Sequence, residues 1–122
     1  MKKNVLIIED EPIIAEMMSI ILEEGGFNVI SLGETGLARQ KLHNQEVDIV
    51  MLDLNLVGED GHSMCTYIKS QESLKDIPVI LVSANHDIEK IMTDCGADDF
   101  IKKPFDIDDF YGKVHAYLPL SA

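Results

Sequence analysis

The sequence predicts a doubly wound α/β domain, a parallel sheet covered by helices on both faces, and three observations lead there. Short apolar runs of strand character alternate with segments of helical period, the mark of βαβ units. The runs are continuously apolar rather than alternating, so neither face of the sheet is left to solvent. Four of them stop at a polar residue suited to phosphate chemistry. Val5–Ile8 ends at Glu9-Asp10, Ile49–Leu52 at Asp53, Val79–Val82 at Ser83, and Phe100-Ile101 at Lys102-Lys103. Parallel strands joined by right-handed crossovers carry these ends to one edge, where open α/β sheets hold their sites.

Each element has its own local cause. After the first strand, Pro12 suits a first helical turn, and Ile14, Met17, Met18, Ile21 and Leu22 follow at the spacing of one face. One of the Met17-Met18 pair belongs in the core and the other at a rim, where it could also serve as a docking patch for a kinase. Gly25-Gly26 ends the helix, and Phe27–Ile30 reads as a short second strand. A weaker helix runs from Thr35 to His43 with Leu37, Ala38 and Leu42 on its face. Asp53 is followed by a loop from Leu54 to Asp60 and a helix with Met64, Cys65 and Ile68 inward. Pro78 opens the fourth strand, a permitted place for proline. Ile88, Ile91, Met92 and Cys95 mark the fourth helix, closed by Gly96. Ile107, Phe110, Tyr111, Val114 and Leu118 give the last helix, with Pro119 beyond it.

Composition bounds the function. The 122 residues suit one domain, with a core at 3–118 and no effector domain expected after it. No apolar run approaches the roughly 20 residues of a membrane helix, and no signal-peptide core follows Met1, so a cytoplasmic location is expected. A net charge of −12, from 22 acidic against 10 basic residues, repels nucleic acid and anionic membrane. Cys65 and Cys95 lack metal-ligand spacing and read as buried reduced thiols. The four histidines are scattered without ligand spacing and read as surface or partly buried residues. Asp98, Asp99, Asp106, Asp108 and Asp109 read as solvated residues near a helix start.

The chemistry lies at the strand ends. If the first and third strands are neighbours, Glu9, Asp10 and Asp53 converge, and carboxylates about 4 Å apart repel by about 4 kcal/mol at an effective dielectric near 20. Such a cluster takes up a proton or recruits a cation. Hard oxygen donors in small number suit Mg²⁺, which shares its shell with water and phosphate. Asp53 can act as a nucleophile and form an acyl phosphate. Ser83 offers a hydroxyl and a lysine offers a fixed positive charge to the phosphoryl oxygens. Strand alternation sends Lys102 and Lys103 to opposite faces, so one alone reaches the site.

Taken in order and spacing, Val5-Leu6-Ile7-Ile8-Glu9-Asp10-Glu11-Pro12, Asp53-Leu54-Asn55-Leu56, Asp60-Gly61, Ser83-Ala84, Gly96-Ala97 and Lys103-Pro104-Phe105 resemble a response-regulator receiver domain, CheY-like, from about Lys3 to Leu118. The resemblance implies a flavodoxin-like sheet of order 2-1-3-4-5. It implies Asp53 as phosphoacceptor, with Asp10, Asp53 and the main-chain carbonyl of Asn55 on Mg²⁺ and Glu9 reaching the ion through water. Ser83 is then the switch hydroxyl, Lys103 the lysine before a cis proline, and Phe100 the aromatic switch. Two positions depart from the common pattern: Val57 replaces a proline before Gly58, and Glu9 stands where many members have aspartate.

The implied function is a two-component or phosphorelay switch. A phosphoryl group passes from a phosphohistidine on a histidine kinase or a histidine phosphotransfer protein to Asp53. Slow self-hydrolysis follows, with Asn55 and Asn85 at the positions implicated. Output goes to a downstream protein target through the fourth helix, fifth strand and fifth helix, with a phosphorylation-linked dimer as a further expectation. One competing reading is a Mg²⁺-dependent aspartyl-phosphate phosphatase, which needs a proton-donating aspartate where Asn55 stands. A flavin-binding module needs a Ser/Thr/Gly-rich turn where Glu9-Asp10-Glu11 stands. A third reading is a receiver cut from a longer regulator.

Overall fold

The structure is a computed structural model that describes residues 2–56 and 59–118. Among these, five parallel strands alternate with five helices: β1 (Asn4–Ile8), α1 (Pro12–Glu24), β2 (Asn28–Leu32), α2 (Thr35–Asn44), β3 (Ile49–Asp53), α3 (Gly61–Ser70), β4 (Val79–Ser83), α4 (Ile88–Cys95), β5 (Asp99–Lys102) and α5 (Ile107–Tyr117). The sheet order is β2-β1-β3-β4-β5, as the resemblance implied. β1 lies between β2 and β3, with Ile8 opposite both Leu32 and Leu52. Asp53 stands opposite Val82, and Ser83 opposite Lys102, so the polar ends line one edge.

Strand alternation splits the apolar residues into two cores. Val5, Ile7, Ile49, Met51, Ile80, Val82 and Ile101 pack under Met18 and Leu22 of α1 and Phe110 and Val114 of α5. Leu6, Ile8, Val50, Leu52, Val79 and Leu81 face the other way, against Ala38 and Leu42 of α2, Met64, Cys65 and Ile68 of α3, and Ile88 of α4. Both faces are therefore covered, which is why these strands read as unbroken apolar runs. Met18 is buried and Met17 largely exposed. Both cysteines are free and buried.

Four expectations need correction. β2 runs Asn28–Leu32 rather than Phe27–Ile30, because the Phe27 N–H bonds back to the Leu22 carbonyl at 3.0 Å, continuing the helix exit. Leu37 is exposed; the inner face of α2 is Thr35, Ala38 and Leu42. Ile107 opens α5 and is exposed, leaving Phe110 and Val114 to point inward. Asp98 and Asp99 are not helix-start residues. Asp98 accepts the Val79 N–H at 2.8 Å and pairs with Lys69 at 2.7 Å, while Asp99 lies in β5 and pairs with Lys113 at 3.2 Å. The expected stop at Pro119 and the Val57–Gly58 departure lie outside the described residues.

Candidate phosphoacceptor site

The site is assembled from strand ends. Glu9 and Asp10 follow β1 directly, and the Glu9 N–H bonds to the Leu32 carbonyl at 3.0 Å, extending the β1–β2 ladder by one step. Asp53 closes β3. Carboxylate oxygens of Glu9, Asp10 and Asp53 lie within 4.8 Å of one another. Glu9 and Asp53 are buried, and Asp10 is half-buried. These are oxygen donors alone, the set that fits a hard divalent cation such as Mg²⁺.

Lys103 enters the cluster from beyond β5. Its Nζ donates to Glu9 Oε1 at 2.8 Å and lies 3.8 Å from Asp53 Oδ2. Its main-chain N–H bonds to the Ser83 carbonyl at 3.0 Å, fixing the tip of β5 against that of β4. Lys102 is exposed, so the choice that alternation left open falls to Lys103. The Lys103–Pro104 peptide is cis, as the resemblance implied.

The electrostatics separate the two buried carboxylates. Burial pushes Asp53 up, the hydrogen bond it shares with Glu9 adds to this, and its acid strength falls to a pKa of about 7. The Asn55 N–H, 3.1 Å from Asp53 Oδ1, pulls only partly the other way. Burial also pushes Glu9 up, but the hydrogen bonds from Asp53 and from Lys103 outweigh it and leave Glu9 lowered. The two carboxyls are thus driven apart, Asp53 toward its protonated form and Glu9 toward its charged one. A divalent cation supplies the positive charge that displaces a proton from Asp53.

Ser83 and Asn55 sit at the margin. The buried Ser83 hydroxyl accepts the Asn85 N–H at 3.1 Å, which leaves its own proton free to donate. Asn55 is exposed and touches Asp53 through its main-chain N–H. Asn85 is exposed, its side-chain oxygen accepting the Asp87 N–H at 2.8 Å. Phe100 is half-buried and packs on the α2–α3–α4 core.

Two features escaped the sequence. The Glu9–Lys103 ion pair joins residues 94 apart, and no local pattern announces it. Gly61 is the other: a Cβ there would sit 2.3 Å from the Asp53 carbonyl oxygen and 2.7 Å from Leu54 Cα. Its N–H bonds to the Leu54 carbonyl at 3.0 Å, so α3 begins pressed against the backbone that carries Asp53. The Asp60-Gly61 pair belongs to the family motif, but its close packing on the Asp53 backbone is not read from it.

Comparison with known proteins decides the family. The model of the response regulator receiver domain matches residues 5–115. The chain belongs to the response-regulator receiver family. Receivers are phosphoacceptor modules of two-component signalling rather than enzymes in their own right, they imply a histidine kinase as partner, and the acidic triad here is the kind that binds Mg²⁺ in them. This receiver is 39% identical over 118 residues to the DNA-binding dual master transcriptional regulator RpaA of Synechocystis, covering 94% of this chain and 48% of RpaA. It spans about half the length of the curated relatives it matches. The receiver domain of a signal transduction histidine kinase from Syntrophus aciditrophicus superposes with a TM-score of 0.88 at 32% identity, over 95% of this chain and 89% of that one. The receiver domain of the sensor histidine kinase PA1611 from Pseudomonas aeruginosa shares the fold, with a TM-score of 0.87 at 24% identity over 96% and 98% of the two chains. That protein holds a magnesium ion in its active site cleft. No helix among the described residues is long and apolar enough to cross a membrane.

Proposed function

We propose that Asp53 accepts a phosphoryl group from a phosphohistidine on a histidine kinase or histidine phosphotransfer protein. The carrying observation is Asp53 itself, buried at the carboxyl edge of the sheet with two carboxylates beside it and the Lys103 ammonium 3.8 Å away. In the transfer a carboxylate oxygen of Asp53 attacks phosphorus, the phosphorus–nitrogen bond to the donor histidine breaks, and its electron pair returns to the imidazole. The product is an acyl phosphate on Asp53. In this reading Asp10, Asp53 and the Asn55 main-chain carbonyl would hold Mg²⁺, and Glu9 would reach it through water. The ion supplies neutralising charge for the phosphoryl oxygens. Lys103 supplies a further positive charge, and the free proton of the Ser83 hydroxyl binds another phosphoryl oxygen.

Switching is feasible in magnitude. Moving a two-state balance from 1:99 to 99:1 takes about 5.5 kcal/mol of differential interaction. Two hydrogen bonds to a charged phosphoryl group, from Ser83 and Lys103, contribute roughly 3–6 kcal/mol if made only in the active state. Phe100, half-buried on β5 and packed on the α2–α3–α4 core, is read as the aromatic that turns inward with Ser83. We assign output to protein contact through α4, β5 and α5, with a phosphorylation-linked dimer as one form of it. The chain is read as one receiver with its core at 3–118, acting in the cytoplasm. The DNA-binding named for RpaA belongs to a protein about twice as long.

The test is acetyl phosphate with Mg²⁺ on the wild type and Asp53→Asn. The wild type incorporates label and Asp53→Asn does not, while its far-ultraviolet circular dichroism is unchanged. Incorporation into Asp53→Asn at the wild-type rate would refute the assignment.

A further inference from the structure

The chain has two cysteines, and although they stand 30 residues apart they pack against each other. Cys65 lies on the inner face of α3, Cys95 is the last residue of α4, and both belong to the core on that side of the sheet. The Cys65 thiol hydrogen-bonds to the Cys95 sulfur, and Cys65 Sγ also lies 3.5 Å from the Cys95 carbonyl oxygen. α3 and α4 touch directly, so no third element separates the sulfurs. The two differ in character. The bond from Cys65 lowers Cys95 to a pKa of about 6 against the effect of burial, and the same bond, with burial adding to it, raises Cys65. Cys95 keeps 4% exposure, where the chain leaves α4 through Gly96, while Cys65 has none. The sulfur closer to its thiolate is therefore also the one nearer to solvent, the combination that governs thiol oxidation. Among the described residues the acidic cluster is the sole group of three metal-ligating side chains, so the sulfurs lack the further donors of a thiolate metal site.

We infer that Cys65 and Cys95 form a dithiol modification site, which a peroxide converts to a disulfide tying α4 to α3. The Cys95 sulfur attacks one peroxide oxygen, the O–O bond breaks, and water leaves with the Cys95 proton, giving a sulfenic acid. The Cys65 sulfur then attacks the sulfenic sulfur, the S–O bond breaks, and the hydroxyl leaves as a second water with the Cys65 proton. Two thiols are oxidised and one peroxide is reduced. α4 follows Ser83 and belongs to the face assigned to output, so the bond restrains a helix that has to respond to the acceptor. That consequence rests on the phosphoacceptor reading; the disulfide does not.

The experiment exposes the folded wild type, Cys65→Ser and Cys95→Ser to a small excess of hydrogen peroxide, followed by unfolding, alkylation with iodoacetamide and mass spectrometry. The wild type loses about 2 Da, neither cysteine is alkylated, a Cys65–Cys95 linked peptide is found, and dithiothreitol restores both thiols. In Cys65→Ser, dimedone captures Cys95 as its sulfenic acid; in Cys95→Ser, Cys65 oxidises at least about tenfold more slowly than Cys95 does. In the linked protein, hydrogen exchange of the α4 amides slows at least about tenfold. Two free thiols under conditions that oxidise Cys95 in Cys65→Ser overturn the inference, since the pair is then core filling only. A bond formed only in urea, or only between chains, overturns it as well, and α4 exchange unchanged by the bond overturns the tie. The mass shift is read without Mg²⁺ or phosphorylation, so its failure and that of the acetyl phosphate test are separate results.

Discussion

The bodies and the tips of the same strands are built on opposite principles. In β1, Val5, Leu6, Ile7 and Ile8 are fully buried and apolar, and the next residue is Glu9, nearly as buried and charged. In β3 the sequence Ile49–Leu52 passes in the same way into buried Asp53. Burying an apolar side chain stabilises the fold by about 1.5–3 kcal/mol. Burying a carboxylate opposes it unless partners compensate. At the tips the compensation is incomplete: among the described residues three carboxylates share one nearby ammonium, and burial beside Glu9 raises the pKa of Asp53. The apolar bodies hold the sheet, and the tips use part of that stability to keep a cation-seeking cluster in place.

The largest effect belongs to the bodies. Phe110 is fully buried beneath the sheet and stacks on Phe105 with ring centroids 4.9 Å apart. Phe110→Ala should cost about 3–5 kcal/mol in urea unfolding, with the Mg²⁺ site unaltered in the remaining folded protein. Next comes Lys103→Met, which leaves Glu9 buried without its ammonium; a loss of roughly 2–3 kcal/mol is expected in the metal-free protein. Saturating Mg²⁺ should restore much of that loss. A full loss that Mg²⁺ leaves untouched would show that Lys103 acts through packing.

How far these features could be read in the sequence follows the same division. The strand bodies and their polar terminal residues are one-dimensional patterns, so Glu9, Asp10, Asp53, Ser83 and Lys103 were legible as a set. The sheet order came with the family motifs, since parallel runs of similar length look alike. Pairing across the sheet was not legible: Lys103 meets Glu9 from 94 residues away, and strand alternation alone left Lys102 and Lys103 equal until the Lys103-Pro104-Phe105 motif chose between them. Helix faces were read well where the periodic residues were many, as in α1. They were misread near helix starts, where Leu37 and Ile107 fit the period but are exposed. Phe27–Ile30 reads as a strand, but the bond of the Phe27 N–H to the Leu22 carbonyl keeps that residue in the helix exit.

A change of opposite sign is expected at Asp53. Its folded pKa is raised from 3.8 to about 7, so between those values the native state holds a proton that the unfolded chain has released. Stability contributed by this group therefore falls as pH rises from about 4 to 7, and the full cost is present above that window. Asp53→Asn, with metal chelated, should be neutral near pH 4 and stabilising by about 1–2 kcal/mol at pH 8. Denaturant melts at the two pH values measure it. A destabilised Asp53→Asn at pH 8 would show that the tip carboxylates are fully compensated in the metal-free protein.

The smallest effect isolates burial from ion pairing. Glu72 and Lys75 make a contact of 3.2 Å, not far from the 2.8 Å of Glu9 and Lys103, but Glu72 is 91% exposed where the Glu9 side chain is 0% exposed. Solvent screens the surface pair, and freezing two long side chains offsets what attraction remains. Glu72→Ala should therefore shift stability by less than about 0.5 kcal/mol, several-fold below the loss expected for Lys103→Met, and 0.5 M salt should abolish even that. Parallel urea melts of the two variants make the comparison on one scale. Equal losses would mean that contact distance, rather than removal from water, sets the worth of an ion pair in this fold, and the contrast between strand tips and the rest of the surface would lose its physical basis.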